Sequence, residues 1–129
     1  MGALMAAVPA LTVYRTAHLH MNLLGFVAMM IFGVAYHVVP RFMGHPLHSA
    51  RLAGWHVWTA NAGLAFLALG FILMPMLGPT AVPVQSLGGT LSAVGAYFFI
   101  YNIWRTLNGR VVLRRVHVAP NALPVMGGE

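Results

Sequence analysis

The sequence predicts an all-α integral membrane protein. Of its 129 residues, 60% are hydrophobic and only 6% are charged, and the mean hydropathy is +0.80. About a quarter of the residues in an ordinary soluble domain are charged, so this composition excludes that class. The chain has no cysteine, which excludes disulfides, thiolate metal sites, iron–sulfur clusters and covalently attached c-type haem. Residues 1–129 are therefore predicted to form a single membrane domain.

The charged residues are nearly all basic. The chain has seven arginines, no lysine and one acid, Glu129, which gives a formal net charge of +6. Such a charge is also found in nucleic-acid-binding proteins, but here the arginines flank the apolar runs. That distribution is typical of membrane proteins, whose basic residues lie among lipid headgroups. Membrane lipid is therefore the predicted partner, and nucleic acid is not.

The first apolar run lies between Arg15 and Arg41. It contains 25 uncharged residues, 16–40, and about 20 suffice to cross a bilayer. We expect a transmembrane helix over 16–40 that ends at Pro40, since proline cannot donate the helical hydrogen bond. Residues 1–14 are too few to cross and are predicted to be an interfacial lead-in.

The second apolar run lies between Arg51 and Arg105. Its 53 uncharged residues are too many for one membrane-spanning helix. Prolines and a Gly-Pro pair between positions 75 and 83 divide it into two predicted transmembrane helices, at about 53–76 and 85–107. Residues 108–129 are predicted to be a basic cytoplasmic tail.

The arginines also predict the orientation. Arg15 alone lies on one side of the three predicted spans, and six arginines lie on the other side: Arg41, Arg51, Arg105, Arg110, Arg114 and Arg115. Because basic residues accumulate on the cytoplasmic side, the N-terminus is predicted to be outside. The chain is thus expected to be a multi-pass membrane protein with its C-terminus in the cytoplasm.

Two histidines, His18 and His20, lie at the outer end of the first predicted helix. Each helical residue turns about 100°, so side chains two positions apart point to nearly opposite faces, roughly 200° around. Such a pair cannot easily hold one small metal ion, but each ring could reach a flat cofactor on its own side. Neutral imidazole is the usual axial ligand of b-type haem. We therefore predict heme b, with His18 and His20 as ligands of the haem iron; the alternative is that both are interfacial histidines.

Two further residues belong to this predicted cofactor site. Arg15 is the nearest base and would pair with a haem propionate, or else anchor the helix to lipid headgroups. Gly25, which shares a face with Gly33, would permit close approach by a porphyrin plane, or else by a neighbouring helix. No catalytic residue is predicted.

A second group of histidines lies toward the cytoplasmic end: His37, His45, His48 and His56. His37 follows His20 by 17 residues, or roughly 26 Å of helix, so the two groups cannot share one iron. We interpret these residues as interfacial histidines beside Trp55 and Trp58. The alternative is a second metal or haem site.

Several motifs in fixed order resemble a known family. The segment HLHMNLLGFVAMMIFGVAYHVVPRFMGHPLHSARLAGWHVW, residues 18–58, resembles subunit I of the heme–copper oxidases, above all the C-type cytochrome-cbb branch and the related nitric oxide reductases. The similarity is carried by the His-x-His pair, the glycine-containing helix that ends in Val39-Pro40-Arg41, and the motifs Leu47-His48-Ser49 and Trp55-His56-Val57-Trp58. Tyr101-Asn102-Ile103-Trp104-Arg105 is similar to the end of that subunit's final helix. Residues 15–107 thus resemble its last three helices.

The resemblance implies roles for the histidine pair and an assembly. The first histidine of the motif, His18 here, would bind the high-spin haem, and the second, His20, the low-spin haem. That subunit has a pseudo-threefold plan, which implies a homo-oligomer of this shorter chain, with a trimer as the first expectation and a tetramer as the next. The chain lacks the His-Pro-Glu-Val and His-His motifs that supply copper ligands, and no predicted span contains Asp, Glu or Lys. Neither a copper site nor proton pumping is expected.

These observations favour a haem-b-binding membrane protein that transfers electrons or binds a diatomic gas, and that is not a complete oxygen reductase by itself. Its electrons would be exchanged with a redox partner protein or a quinone. The alternative function is a non-catalytic assembly or structural subunit of a respiratory complex. A third is a gas reductase with a non-haem metal, against which the lack of carboxylates counts, because non-haem iron sites normally use them.

Overall fold

The structure, a computed structural model, describes residues 2–109. Every regular element in this part of the chain is helical, which confirms the all-α prediction. Nearly all of the predicted basic tail, residues 110–129, lies outside the described residues. The described helices form three rods that run alternately up and down.

The first rod is assembled from helical segments that follow one another with little interruption. They are α1 (Gly2–Ala7), a 3₁₀ helix (Pro9–Tyr14), α2 (Arg15–His20), a π-helix (Met21–Ala28) and α3 (Met29–Met43). Val8 has an extended backbone, with φ −127° and ψ 94°, and separates α1 from the rest. The π-helix begins directly after His20, and π-type turns are often found at functional sites.

The first rod does not end at Pro40, so that prediction was wrong. Helix α3 continues to Met43 and ends at Gly44, which has φ 68°. Proline removes one N–H bond, to the carbonyl one turn earlier, but residues 41–43 keep their own N–H groups and continue the helix. The left-handed conformation that terminates the helix is open to glycine without a steric penalty.

The second and third rods are α4 (Ala50–Leu77) and α5 (Val82–Leu107), joined by a 3₁₀ turn over Gly78–Ala81. Both begin three residues before the predicted starts. The side chain of Ser49 accepts a hydrogen bond from the Leu52 N–H and caps α4. Pro83 lies in the first turn of α5, where its missing N–H leaves no helical bond unmade.

Glycines bring the backbones of α4 and α5 into direct contact. A Cβ built on Gly63 would lie 2.8 Å from the carbonyl oxygen of Gly88, and one on Gly70 would lie 2.8 Å from the backbone nitrogen of Gln85. Gly95 lies similarly close to the backbone of α4. Gly63 and Gly70 on α4, like Gly88 and Gly95 on α5, are seven residues apart, so each helix lacks a side chain at two points of the contact. The two helices are antiparallel and packed as closely as backbones allow.

The first rod packs against this pair through larger side chains. The ring of His20 lies 4.8 Å from that of Phe71 on α4, centroid to centroid. Further along, Phe32 contacts both His56 on α4 and Phe99 on α5, at centroid distances of 4.8 and 4.4 Å. The first rod therefore runs antiparallel to α4 and parallel to α5.

Two continuous helical stretches are long and apolar enough to cross a membrane, Pro9–Met43 and Ala50–Leu107. The second stretch has 58 residues and folds back on itself at Gly78–Ala81. Large apolar side chains point outward along the bundle; Phe42, for example, is 81% exposed and Met76 is 76% exposed. An apolar outer surface of this extent is what helices in contact with lipid require.

The glycine contact predicts a contrast between two neighbouring positions. An added methyl group at Gly88 would overlap the backbone of Leu67, whereas one at Gly89 would meet nothing within 4 Å. We expect Gly88→Ala to lower the free energy of unfolding by about 1–3 kcal/mol through overpacking. Gly89→Ala should leave it unchanged or raise it by up to about 1 kcal/mol, because alanine favours the helix. Unfolding in detergent, followed by far-UV circular dichroism, measures both. Equal stability of the two variants would contradict the close packing of α4 on α5.

Candidate functional site

His20 is held in the orientation of a metal-binding histidine. Its Nδ1 lies 2.9 Å from the backbone carbonyl oxygen of Thr16, one turn earlier in the helix. A carbonyl can only accept, so Nδ1 carries the proton and donates, and Nε2 keeps its lone pair. Ligating histidines commonly donate their second nitrogen to a carbonyl in this way. Phe71 packs against the ring and limits its rotation.

His18 is placed differently, because its Nε2 is already engaged. The side-chain amide of Asn22 donates to this nitrogen across 3.1 Å. A Cβ built on Gly2 would lie 3.1 Å from the same nitrogen, so α1 lies against it. Asn22 is exposed and can turn away. For Nε2 of His18 to bind iron, Asn22 must release it and α1 must move aside.

The two rings therefore contact different parts of the molecule. His20 faces α4, and His18 faces α1, while Ala17 between them in the helix is fully buried. Both histidines are half-buried, and Arg15, at the first position of α2, is exposed. The structure does not bring the two imidazoles together around one centre, and each ring can serve only a ligand on its own side.

Gly25 contacts a helix. A Cβ on Gly25 would lie 2.8 Å from Cδ2 of Leu64 on α4. In this structure α4 occupies the position beside Gly25 at which a porphyrin plane would lie. Gly33, by contrast, has nothing within 4 Å, so the two glycines do not line one contact. The contact of Gly25 with α4 agrees with the helix-packing alternative.

The four remaining described histidines outside the pair do not form one site. His37 Nε2 contacts the guanidinium group of Arg41, one turn along the same helix. His45 Nδ1 lies 3.3 Å from the carbonyl oxygen of Pro46, and the ring of His48 meets Tyr101 edge-on. Within residues 2–109, no three side chains of His, Cys, Asp or Glu are grouped so that they could hold a metal ion. The non-haem-metal hypothesis gains no support from this part of the chain.

His56 is not an interfacial histidine, and that interpretation was wrong. Its side chain is fully buried between the three rods. The rings of Phe32, Tyr36 and Phe99 lie 4.8, 5.6 and 5.4 Å away, centroid to centroid. Neither ring nitrogen of His56 has a hydrogen-bond partner. Sequence reasoning grouped it with the exposed Trp55, although neighbouring helical positions face different directions.

Long apolar helices, packed through glycines and aromatic rings and apolar on their outer surface, form the architecture of helical integral membrane proteins. The Cytochrome C and Quinol oxidase polypeptide I family matches residues 5–112, and the chain belongs to this family. The family is that of heme–copper oxidase subunit I, so the resemblance found in the motifs is confirmed. Its members are integral membrane proteins that bind haem.

Curated relatives agree with this assignment. The chain is 27% identical to cytochrome c oxidase subunit 1 of Rhodobacter capsulatus over 121 aligned positions, covering 74% of this chain and 23% of that protein. It is 26% identical to the Cbb3-type cytochrome c oxidase subunit CcoN1 of Stutzerimonas stutzeri, covering 74% of this chain and 26% of the relative. The chain thus spans about a quarter of the length of the relatives it matches. No solved structure matches it.

Proposed function

We propose that the chain is a haem-b-binding membrane protein that transfers electrons or binds a diatomic gas. The observation that carries this proposal is His20, whose Nδ1 is bonded to the Thr16 carbonyl and whose Nε2 lone pair remains available. His20 is the second histidine of the pair through which the chain resembles the family. Its environment fits the axial ligand of a low-spin haem, the role that the resemblance implies.

His18 is proposed as the second iron ligand, toward a different haem or the same haem in another subunit. The chemistry that haem supplies is one-electron transfer and, where an axial position is open, binding of a diatomic gas. The chain's own residues orient the ligands. The Thr16 carbonyl and Phe71 hold His20, whereas Asn22 must exchange its bond for iron before His18 can ligate.

The same residues limit what the chain can do alone. It has no carboxylate except Glu129, and it lacks the histidine motifs of the copper site. The described histidines outside the pair are engaged elsewhere or buried among aromatic rings. We therefore assign it neither a copper site nor proton pumping. Its electrons would be exchanged with a redox protein or a quinone.

A second function is favoured by one finding. The Asn22 amide occupies the nitrogen of His18 that iron would use. This contact fits a non-catalytic subunit that assists the assembly or stability of a respiratory complex. Absence of haem in the purified protein would favour this function.

The proposed arrangement in the cell is a homo-oligomer in a prokaryotic inner membrane. The three rods would be three spans, and the arginine distribution would put the N-terminus outside. Three rods enclose little space of their own, and a ring of three copies would supply the missing walls of a haem pocket. Large apolar side chains remain exposed on the first rod, including Phe26, Ile31 and Val34.

The haem ligands are tested by substitution and absorption spectroscopy. His20→Ala and His18→Ala should lower the haem content or shift the Soret and α bands, since each removes an axial imidazole. His45→Ala and His48→Ala are the matched controls, because they lie beyond the far end of α3, roughly 35 Å from His20. Their spectra should equal that of the wild type. Unchanged spectra in both His20→Ala and His18→Ala would refute the ligand assignment. Haem loss in His37→Ala would show that the cofactor binds at the other end of the helix.

The orientation is tested by a fusion at the C-terminus. Green fluorescent protein attached after Glu129 should fluoresce, because the positive-inside distribution places that end in the cytoplasm. Alkaline phosphatase at the same position should be inactive, since it folds only outside. An active phosphatase fusion would reverse the topology and move His18 and His20 to the cytoplasmic side.

The assembly is tested by native mass spectrometry of the purified protein in detergent. We expect a closed oligomer, with three copies as the first expectation, that carries haem. Removal of haem by the two histidine substitutions should lower the proportion of this oligomer if haem is shared between subunits. A spectrum of monomers only, each retaining haem, would contradict the proposal.

A further inference from the structure

A pocket lies where the loop between α3 and α4 meets the end of α5, far from His18 and His20. Its volume is about 230 Å³, and it is open on one side. His45 and His48 contribute from the loop, and Arg105 and Thr106 from the last turn of α5. Neither the proposed haem function nor the family assignment gives this pocket a role.

The wall of the pocket is held by buried hydrogen bonds. The backbone N–H of His48 donates to the hydroxyl of Thr106 across 3.0 Å. Beside it, the Asn102 amide accepts from the Ser49 N–H at 3.0 Å and donates to the Ser49 carbonyl at 2.8 Å. Asn102 and Thr106 are 0% and 1% exposed. These bonds fix the backbone of the loop at His48 and Ser49 to α5, so this wall of the pocket is formed in the absence of a ligand.

No acidic side chain in the described part of the chain balances the positive charge of Arg105 at this pocket. Arg105 is exposed, and residues 2–109 contain no Asp or Glu. The rings of His45 and His48 add nitrogens that can donate hydrogen bonds to an anion. A guanidinium group beside further donors is suited to a phosphate, which it can bind through two parallel N–H···O bonds.

Two other pockets at the same end differ in composition. One is lined by Arg51 with Gly54 and two tryptophans, and so offers one base among apolar groups. In the other, the guanidinium of Arg41 already contacts His37. Of these three pockets, that of Arg105 alone combines an arginine with two histidine side chains. The Thr106 hydroxyl belongs to the wall, because it donates to the Asn102 carbonyl and accepts from the His48 N–H.

The surroundings indicate the source of the phosphate. Trp104, next to Arg105, is 59% exposed, and Trp58 on α4 at the same end is 77% exposed. Exposed tryptophans mark the level of the lipid headgroups. At about 230 Å³, the pocket is smaller than the roughly 300–1,000 Å³ of sites that hold whole drug-sized ligands. A headgroup phosphate fits this size and this level.

We propose that the Arg105 pocket binds a phosphate group, that of an anionic membrane lipid. Arg105 would bind the phosphate oxygens, and the rings of His45 and His48 would complete the contact. The acyl chains would extend along the exposed apolar surface of α5. Such a lipid would compensate part of the excess positive charge at this end of the bundle.

The test is native mass spectrometry of the full chain in detergent with added phosphatidylglycerol. We expect Arg105→Gln to weaken lipid binding about tenfold or more, the effect of losing a charge-assisted pair. Arg105→Lys should bind at an intermediate level, because lysine keeps the charge but not the paired geometry. Arg51→Gln, which removes the same charge at the same end, should stay within about twofold of wild type. Far-UV circular dichroism should show that all variants keep their helical content.

Two further binding measurements identify the chemical group that the pocket binds. Diacylglycerol, which has the same chains without phosphate, should not bind measurably. Inorganic phosphate should leave the lipid bound if the lipid headgroup is the ligand; displacement by phosphate would support the same site with free phosphate as its source. Wild-type binding by Arg105→Gln, an equal loss in Arg51→Gln, or equal retention of diacylglycerol would each overturn the proposal.

Discussion

The backbone contact between α4 and α5 determines how the other parts of the molecule are placed. Where helices are surrounded by lipid, apolar burial contributes little to their association, and close packing of small residues contributes more. The contact of Gly63 with Gly88 fixes the register of the antiparallel pair. That register sets Ser49 opposite Asn102 at one end. It also creates the shared face on which the first rod lies, and with it the position of His20.

The helices could be predicted from the sequence because uncharged runs of sufficient length have few other folds available in a membrane. The family could be predicted because several motifs occur in order. The end of α3 could not, because Pro40 removes one hydrogen bond without preventing the next residues from continuing the helix to Met43. The burial of His56 also could not, because it depends on side chains from two other helices, Phe32 and Phe99.

The sequence predicts His18 and His20 as site residues, but it does not predict the hydrogen bonds that each ring makes. The spacing of His18 and His20 indicates that they face different sides, and their contacts in the structure are with different elements. What makes them unequal is local hydrogen bonding. A backbone carbonyl orients one ring, whereas the Asn22 amide engages the other. Such partners depend on side-chain rotamers, and Asn22 carried no signal that distinguished it from other polar residues in the helix.

The π-helix over Met21–Ala28 has a geometric consequence for this pair. A π-type turn holds one residue more than an α-turn, so each such turn changes the rotational phase of the preceding segment by about 100° relative to an ideal α-helix. The direction in which the His20 side chain points therefore does not follow the helical periodicity of α3. Relaxation of one wide turn into an α-turn would rotate both imidazoles together by about 100°, half of the roughly 200° that separates them, and would turn the His20 ring away from Phe71. The number of wide turns in this segment thus sets the direction in which His18 and His20 point relative to α3.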